Sequence, residues 1–361
     1  MKVVFDAYWW VQGPAALRHV LRELVLAWVQ EHPEDEIALV VRTRHLEAAR
    51  ASAPPGVRLV PSRLRPQALL ASSATERVRR RLGYDALVVH NFAARSRGVS
   101  TVYLHDVMFE TDPQWFTGVE RAYFSRMVAW IRRADVVLSS SAAEGRRIAA
   151  HTRARRVVPV GLGLSTELLD GPQEPVADLA PGYLLTVGRL NVRKNLGRTI
   201  SGVLASGVVD PARPLVVVGA RGGRDEELAP EAEEAVADGR VRFLGHIEET
   251  QLRWLYANAR LFCFLSLGEG FGMPPVEALA FGTPVVASDL AVFRENLPGA
   301  TRFVDPLDVA AIAEVVRSAA EGPRPDLGEV ARTVVAAHDW RRSVGLVRQA
   351  IAGLLEERRH G

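Results

Sequence analysis

The chain alternates between short apolar runs and longer segments with helical periodicity. Seven apolar runs in the first half predict buried strands, namely KVVFD, EIALVVR, VRLVP, ALVVH, TVYLH, DVVLSSS and RVVPVG. The clearest helical segment follows Pro14 and places its apolar residues on one face, Leu17, Val20, Leu21, Leu24 and Ala27. Alternating strands and helices favour βαβ units and a parallel sheet. The first half therefore predicts an α/β domain.

The same alternation restarts in the second half after a stretch rich in glycine and proline. The runs YLLTVG, PLVVVG, VRFLGH, RLFCFLS and PVVAS predict a second set of strands. We expect a first domain over 1–165, a linker over 166–182 and a second domain over 183–337. A helix over 338–361 is expected at the end of the chain, where it could pack back on the first domain.

Composition is typical of a globular protein with a large core. The 361 residues are 48% hydrophobic. The single cysteine, Cys263, lies in the run LFCFLS, so it is interpreted as a core residue and a disulfide within the chain is excluded. The N-terminus has no pattern typical of a signal peptide, and no run is long enough to cross a membrane. We therefore expect a cytoplasmic protein.

Charge is distributed unevenly, although the formal net charge is only +3. The segment from Arg63 to Arg156 is rich in arginine and poor in acids. This imbalance fits either solvated helix faces or attraction to an anionic partner, including peripheral contact with a membrane. We expect no nucleic-acid partner. Lysine occurs only at Lys2 and Lys194, so a lysine at position 194 is a departure from the general use of arginine.

A glycine-rich loop follows one apolar run of the second half, in the segment LFCFLSLGEGFGMPPVEALAFG. Glycines let backbone N–H groups approach a ligand, and Pro274 and Pro275 are typical of a helix start. Ligands of open parallel sheets bind at the carboxyl ends of strands, and a helix start favours an anion. Glu269 in the loop and Glu277 in the first helical turn are expected to accept hydrogen bonds from a ligand rich in hydroxyls.

A second loop of the same kind lies in the segment YLLTVGRLNVRKNLGRTI. It carries Arg189 and Lys194, and a helix is predicted to begin near Asn195, a residue typical of helix N-caps. Two cations beside a helix start predict an anion site.

The first of these segments resembles the E-x7-E signature of the retaining glycosyltransferases of family GT4, which have the GT-B fold, with Glu269 and Glu277 at its two acidic positions. The second segment resembles the G-R-L…K-N pattern of the same family. The resemblance implies an α/β protein with two Rossmann-like parallel-sheet domains facing each other across a cleft. It further implies that Glu269 contacts the donor sugar at the reacting centre and that Glu277 binds the ribose. The remaining residues that it implies are Gly270, Phe271 and Gly272 along the sugar and diphosphate, and Arg189 and Lys194 at the diphosphate.

The resemblance extends to three further places in the chain. Gly245, His246 and Ile247 match the loop that holds the nucleobase. His105, in TVYLHD, matches a histidine near the donor and acceptor, and we expect it to be functional rather than structural. The loop after the first strand has only Gly13 where the family has a glycine-rich turn, so its contacts with the diphosphate stay open.

The predicted activity is transfer of a hexosyl group from a GDP-, dTDP- or UDP-sugar to an acceptor hydroxyl with retention of configuration. The acceptor could be a glycan, a lipid-linked molecule or a small metabolite. We expect no cofactor and no metal, because the sequence lacks an Asp-x-Asp triplet. An epimerase or hydrolase of the UDP-N-acetylglucosamine 2-epimerase type is the alternative. A dinucleotide-dependent oxidoreductase is disfavoured because no G-x-G-x-x-G follows the first strand.

Overall fold

A computed structural model describes residues 1–188, 190–219, 228–297, 299 and 301–360. The chain divides into two compact units. Unit 1 comprises Met1–Thr111, Gly118–Gly163 and His338–Gly361, and unit 2 comprises Asp112–Thr117 and Leu164–Ala337. No helix in the described part of the chain is both long enough and apolar enough to cross a membrane.

Unit 1 is built on a seven-stranded parallel sheet. Its strands are β1 (Lys2–Asp6), β2 (Glu36–Arg42), β3 (Arg58–Ser62), β4 (Ala86–His90), β5 (Val99–Leu104), β6 (Val136–Ser139) and β7 (Val157–Pro159). Their order is β3-β2-β1-β4-β5-β6-β7. The helices before residue 163 are α1 (Ala15–Glu31), α2 (Leu46–Ser52), α3 (Gln67–Leu69), α4 (Thr75–Leu82), α5 (Met108–Thr111), α6 (Gly118–Trp130) and α7 (Ala142–His151).

Unit 2 is built on a six-stranded parallel sheet. Its strands are β8 (Leu184–Val187), β9 (Leu215–Val218), β10 (Val241–Gly245), β11 (Leu261–Phe264), β12 (Val285–Ser288) and β13 (Thr301–Val304), in the order β10-β9-β8-β11-β12-β13. Its helices are α8 (Thr166–Asp170), α9 (Leu196–Ser206), α10 (Pro230–Ala237), α11 (Glu249–Asn258), α12 (Met273–Ala280), α13 (Ala291–Asn296), α14 (Val309–Glu321) and α15 (Gly328–Ala337). The last helix, α16 (Trp340–His360), belongs to unit 1 and packs on α1.

Both sheets are doubly wound around their first strand. In unit 1 the chain builds outward from β1 in one direction and then resumes at β4 on its other side, and in unit 2 the same reversal separates β8 from β11. Such a reversal leaves a crevice at the carboxyl ends of the two central strands, where ligands of α/β proteins bind. The predicted fold class, two Rossmann-like parallel-sheet domains, is confirmed.

The core of unit 2 follows from strands that are apolar on both faces, as parallel sheets covered by helices require. Cys263 on β11 is fully buried, as predicted, and burial raises the pKa of its thiol to about 12. Helix α9 packs closely on α14 at Gly202, where an added Cβ would lie 2.3 Å from Ile312 Cγ2. This close packing holds the middle of α9 against α14.

Two parts of unit 2 differ from the sequence-based expectation. The segment 166–182, expected to be a linker, begins with α8 and belongs to unit 2. Buried Arg253 on α11 ties this segment down, because its guanidinium donates to the carbonyls of Leu168 (3.1 Å) and Pro172 (3.2 Å). Strand β13 was not predicted, because its sequence TRFV is short and carries a charged residue.

Candidate functional site

The loop between β8 and α9 is held in place by two asparagines. The Asn191 side chain accepts a hydrogen bond from the Lys194 backbone N–H at 3.2 Å and caps a 3-10 helix over Val192–Lys194. Asn195 has a left-handed backbone with φ of 56°. The sequence predicted that the Asn195 side chain caps α9, but it forms no such hydrogen bond. Its amide instead donates to the carbonyls of Leu265 (3.0 Å) and Pro306 (2.8 Å). The loop is therefore fastened to the carboxyl end of β11.

The loop between β11 and α12 is equally constrained. Gly272 has φ of +88° at the start of α12, and an added Cβ there would lie 2.3 Å from the Phe293 ring. The Phe271 carbonyl accepts a hydrogen bond from Asn296 at 3.0 Å. Helix α12 begins at Met273, so Glu277 lies in its second turn. The prediction that Glu277 lies in the first turn was wrong. The segment from Gly270 to Gly272 thus has a fixed backbone conformation.

These two loops bring Glu269 together with Arg193 and Lys194. The Lys194 ammonium lies 2.6 Å from Glu269 Oε1, and the Arg193 guanidinium lies 2.8 Å from Glu269 Oε2. Arg193 also donates to the Gly268 carbonyl at 2.7 Å. We call these three side chains the Glu269 cluster. Sequence reasoning identified Glu269 and Lys194 but missed Arg193, although its place beside Lys194 in a cation-bearing loop was a signal.

The Glu269 carboxyl is ionised despite being buried. The residue is 8% exposed, and burial alone would raise its pKa. The charges of Arg193 and Lys194 outweigh that effect, and the pKa of Glu269 falls to about 2. Since two cations face one carboxylate, the three side chains carry a net charge of +1. Their position at the carboxyl ends of β8 and β11 favours an anionic ligand.

The pKa of Glu277, on α12, shifts in the opposite direction to that of Glu269. Its carboxyl accepts a hydrogen bond from the Tyr256 hydroxyl at 2.7 Å. Burial raises the pKa of Glu277 to about 7, and the bond from Tyr256 only partly offsets this effect. Glu277 therefore changes protonation near neutral pH, whereas Glu269 does not. Two carboxyls with separated pKa values can perform different tasks in one site.

The predicted nucleobase loop lies at the same edge of this sheet. Gly245 ends β10 with φ of +65°, and its carbonyl accepts a hydrogen bond from the Gly219 N–H at 2.9 Å. His246 is exposed and Ile247 half-buried immediately after it. Because the carboxyl ends of parallel strands share one edge, this loop lies on the same side of the sheet as the Glu269 cluster. Arg189 lies outside the described residues.

In unit 1, His105 follows β5 and contacts two aromatic rings. Its ring centroid lies 4.9 Å from that of Tyr103 and 6.1 Å from that of His90. Its Nε2 is buried and forms no hydrogen bond with the described residues. Burial, and to a smaller extent His90, lowers the pKa of His105 to about 3. His105 is therefore a neutral imidazole at physiological pH, and its buried Nε2 has no partner among the described residues.

Gly13 lies in the loop after β1 and is required there for a local reason. An added Cβ would lie 2.1 Å from the Trp9 ring. Trp9 donates its indole N–H to Gln67 at 3.0 Å, and Gln67 in turn donates to Asp6 at 3.1 Å. Gly13 therefore allows this loop to pack over Trp9 near the carboxyl end of β1.

Comparison with known proteins identifies the second half most clearly. Residues 172–334 match the family model described as glycosyl transferases group 1. Over 175 residues the chain is 34% identical to O-antigen chain mannosyltransferase B of Escherichia coli, and the match covers 44% of each chain. The chain thus spans less than half the length of this curated relative.

Solved structures match nearly the whole chain in fold. Sucrose-phosphate synthase from Thermosynechococcus elongatus superposes with a TM-score of 0.71 at 19% identity, over 99% of this chain and 100% of that one. Anabaena HepE in complex with UDP and glucose superposes with a TM-score of 0.66 at 19% identity, over the same shares. The chain has the fold of these proteins, and its residues 172–334 match the glycosyl transferases group 1 family, in agreement with the sequence resemblance.

Proposed function

We propose that this protein is a glycosyltransferase that moves a hexosyl group from a nucleoside-diphosphate sugar to an acceptor hydroxyl. The observation that carries this proposal is the Glu269 cluster. A buried, ionised carboxylate sits between two cations at the carboxyl ends of the two central strands of a doubly wound sheet. The two cations attract a diphosphate. The carboxylate can stabilise the positive charge that develops on the donor sugar as its glycosidic bond breaks.

Neutralising the leaving nucleoside diphosphate is the main catalytic task of such a reaction. Negative charge grows on the phosphate oxygen as the glycosidic bond breaks, and fixed cations that meet this charge lower the barrier. Lys194 and Arg193 are held by capped backbone and need little reorganisation. We infer that they take this role together with Arg189, and that the protein needs no metal or cofactor for it.

Glu269 is proposed to stabilise the sugar in the transition state. Its low pKa keeps it ionised, so it cannot serve as a general acid near neutral pH. It can instead face the positive charge that develops at the anomeric carbon and ring oxygen. A front-face reaction, in which the leaving phosphate helps to deprotonate the acceptor, would retain the anomeric configuration and needs no protein base. Gly270, Phe271 and Gly272 are proposed to line the sugar and the diphosphate.

Glu277 is proposed to accept hydrogen bonds from the ribose hydroxyls, and the loop of Gly245, His246 and Ile247 to hold the nucleobase. Tyr256 orients the Glu277 carboxyl through the 2.7 Å hydrogen bond. His105 is proposed to hydrogen-bond a substrate hydroxyl as a neutral imidazole, because its pKa is far below physiological pH. The role of Gly13 is proposed to be indirect, through the packing of the loop after β1.

The sugar is proposed to be of the mannose, rhamnose or glucose type, with a GDP-, dTDP- or UDP-linked donor. The Escherichia coli relative is a mannosyltransferase by name, and Anabaena HepE was solved with UDP and glucose. The acceptor is proposed to be a glycan, a lipid-linked molecule or a small metabolite, reached in the cytoplasm or at the membrane surface. The epimerase alternative is not favoured, because the matching family is a transferase family.

A thermal-shift panel of UDP, GDP, dTDP and ADP tests the proposal without knowledge of the acceptor. We expect one nucleoside diphosphate to raise the unfolding temperature more than the others. The corresponding nucleotide sugar, incubated without acceptor, should keep its sugar configuration. If no nucleoside diphosphate stabilises the protein, the proposed donor site is wrong. A sugar epimerised in the absence of acceptor would support an epimerase instead.

A further inference from the structure

Four arginines help to line a cavity of about 250 Å³ at the carboxyl ends of β2 and β3 in unit 1. We call Arg42, Arg44, Arg63 and Arg65 the arginine cluster. Arg42 ends β2 and pairs in register with Ser62, which ends β3, so the two strands deliver their following residues to one place. Among the described residues, none of the four arginines forms an ion pair with a carboxylate within 4.0 Å.

Arg42 is a buried member of this cluster. Its residue is 7% exposed, and its guanidinium lies 4.7 Å from the centroid of the Tyr8 ring. One guanidinium nitrogen lies 3.5 Å from the Tyr8 hydroxyl, while the buried Nε forms no hydrogen bond within the described residues. A buried cation with an unsatisfied N–H and no carboxylate costs folding free energy. Buried groups that destabilise the fold in this way are common at ligand-binding sites.

His45 holds two of the arginines together without neutralising them. Both Arg42 and Arg44 direct a guanidinium N–H to its Nε2, the second at 3.1 Å. An imidazole nitrogen that accepts hydrogen bonds carries no proton, so His45 is neutral. Burial and the charges of Arg42, Arg44 and Arg65 lower the pKa of His45 and keep it in this form. The arginine cluster therefore stays fully cationic.

The ligand that best fits this arrangement is a phosphate group. Guanidinium groups bind phosphate oxygens through paired N–H donors, and several arginines along one cavity supply the positive charge that matches a group with three oxygens and close to two negative charges. We propose that the arginine cluster binds a phosphate carried by the acceptor substrate. The phosphate site stands on unit 1 alone, whereas its assignment to the acceptor rests on the proposed glycosyl transfer.

A pair of double variants tests this site with inorganic phosphate as the probe. Arg44→Gln/Arg65→Gln removes two exposed members of the cluster and leaves buried Arg42 in place. Arg77→Gln/Arg80→Gln removes the same charge from α4, where the arginines lie beside Glu76. We expect phosphate to raise the unfolding temperature of the wild type and of the α4 variant. In the cluster variant the apparent affinity for phosphate should fall at least about tenfold.

Vesicles of phosphatidylcholine with and without phosphatidic acid identify the source of the phosphate. If the cluster variant, unlike the α4 variant, no longer sediments with phosphatidic acid vesicles, the bound phosphate belongs to a lipid headgroup. If the cluster variant loses its response to inorganic phosphate but still sediments with the vesicles, the bound phosphate belongs to a soluble phosphate ester. The proposal is overturned if the cluster variant keeps both responses of the wild type, or if the α4 variant loses them equally, since net charge alone would then explain binding.

Binding of nucleoside diphosphates separates this proposal from the proposed function. The cluster variant should keep the wild-type response to the preferred nucleoside diphosphate, because the Glu269 cluster in unit 2 is unchanged. If no nucleoside diphosphate binds the wild type but phosphate binding depends on Arg44 and Arg65, the phosphate site stands and the donor assignment fails. When an acceptor is found, its KM should rise in the cluster variant while the donor KM stays the same.

Discussion

The two units share one sheet order around their first strand but use the carboxyl ends of their strands differently. In unit 2, the cations Arg193 and Lys194 are paired with a buried carboxylate. In unit 1, the arginine cluster surrounds a cavity with a neutral histidine and no paired carboxylate among the described residues. The shared topology thus determines where a ligand binds, while the loop sequences determine its chemistry.

Buried titratable groups differ within each unit according to the charges that contact them, and in unit 1 the pKa of Asp35 falls to about 2 because Arg348 contacts it. In unit 1, burial raises the pKa of Asp6 to about 6 and that of Glu144 to about 8, and lowers that of His90 to about 4. These shifts favour the neutral forms, as burial does where opposite charges do not outweigh it. In unit 2, the pKa of Glu269 moves to about 2 because two cations contact it. A buried charge kept at this cost points to a function for the Glu269 cluster.

The largest effect is expected for Glu269→Gln. This substitution keeps the shape of the side chain but removes the charge proposed to face the sugar in the transition state. Turnover should fall on the order of 10²–10³-fold or more, the range seen when one electrostatic contact to a transition state is lost. Steady-state kinetics, with circular dichroism as a check on the fold, measure this. Glu233→Gln on the exposed face of α10 is the matched control, and near-normal turnover of the Glu269 variant would refute the role.

His105→Ala extends the comparison to unit 1. We expect turnover to fall at least about tenfold, since the neutral imidazole is proposed to hydrogen-bond a reacting substrate. His151→Ala, at the exposed end of α7, should behave like the wild type. Because the pKa of His105 is about 3, its titration should not appear in the pH–rate profile near neutrality. Full activity of His105→Ala would assign this residue to the packing of unit 1.

A smaller effect is expected from Glu277 and its partner Tyr256. Glu277 has a pKa of about 7 and loses its charge as the pH falls through that value. Nucleoside diphosphate binding should therefore weaken as the pH drops from about 8 to about 6. Tyr256→Phe removes a hydrogen bond that lowers this pKa, so the midpoint should move to higher pH. Calorimetric titration at several pH values measures both effects, and a midpoint that does not move would contradict the assignment.

Much of the fold follows from local sequence, and the site only partly does. Buried parallel strands are continuous apolar runs, which is why the strands around β8 and β11 could be predicted, whereas β13 with Arg302 could not. Glu269 and Lys194 were found because their loops resemble a known family. Arg193 was missed because its contact with Glu269 is tertiary, since the two residues lie in different loops of unit 2.

Binding of the preferred nucleoside diphosphate in excess EDTA tests the central claim most directly. Wild type, Lys194→Met and Lys2→Met are compared by calorimetry, since Lys2 is the only other lysine and pairs with Glu36 on the surface. The account predicts binding of one nucleoside diphosphate per chain without metal. It further predicts affinity weakened at least about tenfold by Lys194→Met and unchanged by Lys2→Met. Binding that requires added manganese or magnesium, or that Lys194→Met leaves intact, would contradict it.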